Sequence, residues 1–312
     1  MNIEKERRAI EYLKAFQPES ESYYLCYSGG KDSDVILTLA KLAGVNFEAV
    51  HNLTTVDAPE TVKYVRSNPD VRINPPEKTM WQLIVEKRMP PTRRVRYCCE
   101  HLKEHGGKGR VKITGVRRDE SRSRKENGGI VKVLGKEKTM RRLAEEAGLD
   151  YDATPKGGLV MNDDNADTRR FVEMCYRTTS TMINPIVDWT TDDVWEYLHH
   201  YGNRSNPLYQ VISNGCTFCP RGNRRIGCLV CPMQRAAGMK ADLINYPIYR
   251  DNYLRSFKRM QEKRVADGLL PFGSDQYGGM TPEEIMMWWV EDDPRQLSLF
   301  GVPEYLKGAC LR

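Results

Sequence analysis

The sequence predicts an α/β fold. It reads as a doubly wound, mainly parallel sheet with a glycine turn after its first strand, plus a helical, cysteine-containing C-terminal extension. Three observations point there. Short apolar strand-like runs alternate with stretches of helical apolar spacing through the first part of the chain. Tyr23-Tyr24-Leu25-Cys26-Tyr27 breaks at Ser28-Gly29-Gly30, and Val35, Ile36, Leu39 and Leu42 then recur at helical spacing. Beyond residue 200, a cysteine-rich stretch precedes two helical segments.

Residues 3 to 16 read as a helix leading into the first strand. Val45 to His51 is expected as a second strand. Pro59-Glu60-Thr61 opens a helix to about Ser67, with proline near its first position. Val71 to Ile73 is a short third strand. Thr79 caps a helix to about Lys87, Pro90-Pro91 breaks the chain, and Val95 to His105 reads as another helix. Val111 to Gly115 is a fourth strand. Residues from about 125 to 170 form a polar insert with one helix near Thr139 to Ala147. Thr190 or Thr191 caps a helix through Leu198. Asp242 to Ala266 reads as one long amphipathic helix, and Thr281 to Val290 as the last.

The glycine turn suits an anion. Its N–H groups can converge on one concavity, and the following helix start adds positive potential. Adjacent glycines remove the Cβ atoms that would keep an oxyanion away. Ser28 and Ser33 add hydroxyls, and Lys31 adds a cation. The pattern differs from the Walker A loop, whose glycine loop is longer. In parallel sheets ligands sit beyond the carboxyl ends of the strands. That draws Ser28–Ser33, Thr54–Asp57 and Arg117–Arg124 to one edge.

The 312 residues are 40% hydrophobic and 29% charged, enough for a core, with a formal charge of +6. This mild excess fits an acidic small substrate and does not by itself imply nucleic acid. The cations cluster, at Arg88, Arg93, Arg94 and Arg96 and again at Arg117, Arg118, Arg122, Arg124 and Lys125. The N-terminal residues are charged and no run approaches a membrane span, so a cytoplasmic location without membrane contact is expected. Nine cysteines in a reducing compartment argue for metal or redox chemistry over disulfides.

Several motifs together resemble the phosphoadenosine phosphosulfate (PAPS) reductase-like branch of the PP-loop ATP pyrophosphatases. Ser28-Gly29-Gly30-Lys31-Asp32-Ser33 resembles the Ser-Gly-Gly-x-Asp-Ser loop. Asp57-Ala58-Pro59-Glu60-Thr61 follows the second strand as in that branch. Arg96-Tyr97-Cys98-Cys99, ending in Leu102-Lys103, is similar to its Arg-x-Cys-Cys-x-x-Leu-Lys helix. Gly115 to Ser121 with Arg124 is similar to its Gly-x-Arg-x-x-Glu-Ser-x-x-Arg loop. Asn184-Pro185-Ile186, Asn206-Pro207-Leu208-Tyr209 and Gly227-Cys228-Leu229-Val230-Cys231-Pro232 complete the resemblance over roughly residues 20 to 290.

The resemblance implies a PP-loop nucleotide-binding domain over residues 1–200 and a metal- or iron–sulfur-binding helical region over 201–312. Ser28, Gly29, Gly30, Lys31, Asp32 and Ser33 would hold phosphate or pyrophosphate. Asp32 would orient the loop or help bind Mg²⁺, or act only as a helix cap. Thr54, Thr55 and Asp57 would face the adenosine. Lys103, Arg117 and Arg124 would hold a second anionic group. Lys31, Asp32, Lys103 and Arg117 are the expected catalytic residues.

Cys216-x-x-Cys219 and Cys228-x-x-Cys231 carry a metal signal. They form either a local set of four or, through Cys228 and Cys231, a set with Cys98-Cys99. Cys175 is a further candidate. The resemblance favours a [4Fe-4S] cluster over Zn²⁺. It implies binding of ATP with Mg²⁺ and adenylation of an acceptor in sulfur transfer, with a sulfur donor such as a cysteine desulfurase. Related proteins of DNA phosphorothioation would make the acceptor nucleic acid. The alternatives are reduction of PAPS or its unphosphorylated analogue APS, using Cys310 as nucleophile and thioredoxin, or regulatory nucleotide binding without turnover. The C-terminus lacks the Glu-Cys-Gly-x-His segment of the reductases.

Overall fold

The computed structural model describes residues 2–148, 158–202, 205–209, 226–273, 279–291 and 303–308. Its contacts divide the chain into two compact units that interleave in sequence. The first comprises Met1–His51, Pro59–Asn74 and Gly106–Ile226, and the second Asn52–Ala58, Pro75–His105 and Gly227–Arg312.

The first unit is built on the predicted α/β sheet. Its early elements are α1 (Ile3–Ala15), β1 (Tyr23–Cys26), α2 (Lys31–Ala43), β2 (Phe47–Asn52), α3 (Pro59–Arg66) and β3 (Val71–Asn74). After β4 (Lys112–Ile113) come α5 (Arg122–Asn127), β5 (Val131–Leu134), α6 (Glu137–Ala147), β6 (Leu159–Met161), α7 (Ala166–Cys175), β7 (Ser180–Ile183) and α8 (Thr191–His200). The sheet order is β3-β2-β1-β4-β7-β5-β6. β1 pairs in parallel with β2 and β4, and β4 with β7. Tyr23, Leu25, Ile113 and Ile183 from the strands meet Val35, Ile36 and Leu39 of α2 and Phe171 of α7, all with no solvent exposure. Burying such side chains is worth roughly 1.5–3 kcal/mol each and dominates the stability of this layer.

The insert holds more order than its polarity suggests. β5 pairs antiparallel with both β7 and β6, so two strands extend the mostly parallel sheet beyond β7. Strands of three or four residues offer too few alternations for periodicity to reveal them. Partners, not propensity, define them.

In the second unit α4 (Met80–Lys87) packs against α10 (Pro247–Ala266), which also packs against α9 (Ala236–Asn245) and α11 (Pro282–Trp289). The expected single helix over Asp242–Ala266 is two helices. Pro247 has no N–H to continue α9, and Tyr246 before it sits at φ −126°, ψ 68°, outside helical space. Proline then occupies the first turn of α10, where a missing N–H costs nothing. The expected helix over Val95–His105 contracts to a π-helical turn, Cys99–Lys103, closed by Glu104 N–H donating to the Cys99 carbonyl at 2.9 Å. Such wide turns recur at functional sites.

Candidate functional site

The glycine turn leaves β1 and runs directly into α2, as its sequence predicts. Gly29 has φ +74°, and a Cβ there would lie 2.8 Å from Val65 Cγ2 of α3. Only glycine meets both demands. Ser33 Oγ donates to the Gly30 carbonyl at 2.7 Å and accepts from Gly30 N–H at 3.0 Å. Ser28 is exposed, and its hydroxyl lies 3.3 Å from Ser33 Oγ. Lys31 is buried with its ammonium 2.9 Å from Asp32 Oδ2.

Asn206 and Tyr209 hold this turn, and Thr61 braces Asn206; none of the three is among the expected site residues. Asn206, fully buried, donates to the Gly29 carbonyl and to Thr61 Oγ1, each at 3.0 Å. Tyr209 Oη accepts the Lys31 N–H at 3.1 Å. The Asn-Pro-Leu-Tyr motif was the signal available for two of them, but its contacts lie 177 and 178 residues away in sequence.

Arg117, expected to hold a second anionic group, has internal partners in this structure. Its side chain is 1% exposed. Nε donates to Asp32 Oδ1 at 2.7 Å, and the terminal nitrogens reach Asp119 Oδ2, the Trp189 carbonyl and Thr191 Oγ1. Gly115 makes room, since a Cβ there would sit 3.0 Å from Asp32 Cβ. Arg117 therefore fixes the Asp32 carboxylate, while Asp32 also holds Lys31. Hydrogen bonds from Thr191 hold the Asp119 carboxyl below the usual range, with Arg117 adding to the effect. Arg124, on α5, pairs with Glu120.

With both Asp32 oxygens facing cations, this carboxylate does not fit as a ligand for a resident Mg²⁺. A magnesium ion would arrive with nucleotide phosphates, its usual partners.

The second unit gathers another constellation. Asp57 and Cys228 form an isolated antiparallel bridge, and Leu229 N–H donates to the Val56 carbonyl at 2.7 Å. The Cys228 thiol donates to buried Thr54 Oγ1 at 3.6 Å, and Thr54 N–H donates to Asp57 Oδ2 at 2.7 Å. Thr55 takes φ +63°, and its hydroxyl accepts the N–H of Met80, the first residue of α4, at 3.0 Å. Val230, between the two cysteines, holds φ +54°, a strained value for a β-branched residue. Its N–H donates to Asp242 Oδ2 at 2.8 Å.

Cys98, Cys99, Cys228 and Cys231 are free thiols, and the charges of the other three raise the Cys98 thiol. Cys98 donates to Cys99, which lowers the Cys99 thiol's pKa, with Lys103 adding to the effect, and raises that of Cys98. Burial raises the Cys228 thiol against the opposing pull of Lys103. Lys103 is raised in turn by Cys228 first, then by Asp57 and Cys231.

Among the described residues no three or more His, Cys, Asp or Glu side chains close around a single metal ion. An all-cysteine donor set suits either Zn²⁺ or an iron–sulfur cluster. Cys216, Cys219 and Cys310 lie outside the described residues. Cys26 is half-buried in β1, and burial pushes its thiol to about 11, as befits an inert side chain. Cys175 is buried in the first unit against Thr181, whereas the four-thiol set belongs to the second.

Comparison with solved structures finds an FMN adenylyltransferase of Candida glabrata at 11% identity and TM-score 0.37, covering 66% of this chain and 58% of that one. A PAPS reductase of Candida auris, crystallised with phosphate, matches at 14% identity and TM-score 0.37, covering 66% of this chain and 88% of that one. The chain thus spans less than two thirds of the adenylyltransferase's length. No curated protein matches the sequence. Residues 22–234, which hold the glycine turn, Cys98-Cys99, Arg117 and Cys228-x-x-Cys231, match the profile of the PAPS reductase domain, and the chain belongs to that family.

Proposed function

We propose that the protein is an ATP pyrophosphatase that adenylates an acceptor in a sulfur-transfer reaction. The observation that carries the reading is the glycine turn, fixed by Gly29 and Asn206 and leading directly into Lys31 at the start of α2. Such a turn binds the pyrophosphate end of a nucleotide through N–H groups and the helix dipole. An acceptor oxygen attacks the α-phosphorus, the bond from that phosphorus to the bridging oxygen breaks, and pyrophosphate leaves with its electron pair. Lys31 and the turn stabilise the charge that grows on the leaving group. Asp32, pinned by Arg117, holds Lys31 in place.

Cys98, Cys99, Cys228 and Cys231 are the residues that would hold a [4Fe-4S] cluster. When bound, it would supply a sulfur- or electron-handling centre. Lys103 provides a nearby cation that stabilises thiolates and attracts an anionic group. Exposed Arg94 and Arg96 lie in the same unit and suit a polyanionic acceptor such as nucleic acid.

The test is pyrophosphate release from ATP by anaerobically prepared protein, with nucleic acid and a cysteine desulfurase as added partners. Release that depends on Lys31 is the expected outcome. Its absence with every acceptor tried would remove the reading. Sulfonucleotide reduction is the second reading, favoured by the family match. It predicts thioredoxin-dependent sulfite release from PAPS or APS that is lost in Cys310→Ser. Against it, Tyr305 and Leu306 are buried, and Arg250 donates to the Lys307 and Gly308 carbonyls at 2.7 and 3.1 Å. This tethers the chain just before Cys310, whereas the reductase reading calls for a mobile tail.

A further inference from the structure

We propose that Tyr209 is an internal competitor for the glycine turn, its phenol oxygen occupying the Lys31 N–H until a phosphate group displaces it. The proposal rests on reading the turn as a phosphate site. A helix-start N–H is the donor such a site offers to an oxyanion. Here that N–H already donates to Tyr209 Oη at 3.1 Å. The approach depends on Gly30, where a Cβ would meet the same oxygen at 3.2 Å. The Lys31 ammonium lies 5.9 Å from the Tyr209 ring centroid and is held by Asp32. Both donors of Lys31 therefore have partners from within the chain.

The phenol is delivered by a built support. Pro207–Tyr209 forms a short 3₁₀ turn, with Tyr209 N–H donating to the Asn206 carbonyl at 3.0 Å. Leu208 N–H donates to Asn206 Oδ1 at 3.0 Å, while the same side chain holds the Gly29 carbonyl. Trp195 meets the Tyr209 ring edge-on at 5.2 Å. The segment that props the turn open thus also places a neutral oxygen over its first helical donor.

A phosphate oxygen carries charge and accepts about twice as strongly as a phenol. Phosphate therefore wins, but from a raised threshold. The phenol screens out weakly held monoanions and leaves the turn to multiply charged groups such as pyrophosphate. Displacement also frees Tyr209 from Lys31, so occupancy of the turn is transmitted to the segment at residues 205–209.

The experiment is pyrophosphate binding by calorimetry to wild type, Tyr209→Phe and Lys31→Ala. Phenylalanine keeps the ring on Trp195 and removes only the oxygen. Losing one neutral competing hydrogen bond should tighten pyrophosphate by about two- to tenfold. Binding abolished by Lys31→Ala but unchanged or weakened by Tyr209→Phe overturns the proposal and leaves the phosphate reading standing. No binding to any of the three removes the phosphate reading and the proposal with it. Hydrogen exchange on wild type gives a readout that needs no variant. Pyrophosphate should slow exchange across residues 28–33 and speed it across 205–209. Slowing of both segments would show Tyr209 closing on the ligand, and would overturn the proposal.

Discussion

Arg117 shows how a side chain of unmistakable chemistry can take a role that its type does not announce. It is fully buried, and its guanidinium contacts Asp32, Asp119, Thr191 and a main-chain carbonyl. Removing it leaves Asp32 and Asp119 without their shared cation. Arg117→Ala should destabilise the protein by about 3–5 kcal/mol in urea unfolding, with Arg117→Lys recovering only part, because an ammonium cannot reproduce the fork. Asp34 is the opposite case, a carboxyl at an unremarkable helical position. It is buried, accepts the Tyr27 hydroxyl at 2.5 Å and titrates at about 7, raised by burial first and also by the Asp32 charge. The native state therefore binds a proton that the unfolded state releases near its ordinary value. Stability contributed by neutral Asp34 is fully present below about pH 4 and is lost as pH rises through 7. Asp34→Asn should match wild type near pH 4 and exceed it by up to about 4 kcal/mol at pH 8, measured by urea unfolding at both values. A variant no more stable than wild type at pH 8 would show that the native fold does not raise the Asp34 carboxyl.

At the scale of elements, the second unit depends on aromatic contacts among helices far apart in sequence. Tyr253 of α10 lies 4.8 Å from both Trp81 of α4 and Trp289 of α11, ring centroid to ring centroid. Its hydroxyl donates to the Leu229 carbonyl beside Cys228, and Trp289 Nε1 donates to the Pro91 carbonyl at 2.7 Å. Trp289→Ala should cost about 3–5 kcal/mol of stability, read as a fall in the thermal midpoint. The glycine turn, α2 and the capped α8 were legible in the sequence because their signals are local: a break in an apolar run, a cap, a 3.6-residue spacing. The π-helical turn after Cys98 was not legible. Its residues suit an ordinary helix, and the wider turn is a backbone choice that spacing does not encode. Pro247 was visible but was read as part of a continuous helix, although the residue before a proline already disfavours helical geometry.

At the scale of the molecule, the four thiols come from segments 130 residues apart and belong to one unit. If they hold the cluster, anaerobically prepared wild type should contain iron and acid-labile sulfide in equal amounts. Cys99→Ser and Cys231→Ser should each lose most of both, and a Cys216→Ser, Cys219→Ser double variant should retain them. Retention in Cys99→Ser, with loss in Cys231→Ser and in the double variant, would assign the site to the local set of four cysteines. What the sequence by itself determined is the chemistry on offer and the local frame: an anion-binding turn between a strand and a helix, paired cysteines, and an α/β architecture. These follow from residue type and short-range spacing, which act within a few residues. Only the tertiary structure decided which groups are spent inside the protein. Arg117 is consumed by Asp32, the Lys31 N–H by Tyr209, and Thr54 and Asp57 by the cysteine-bearing unit. The reason is physical: a buried donor or acceptor must find a partner wherever packing brings one, and packing joins residues that spacing along the chain cannot relate.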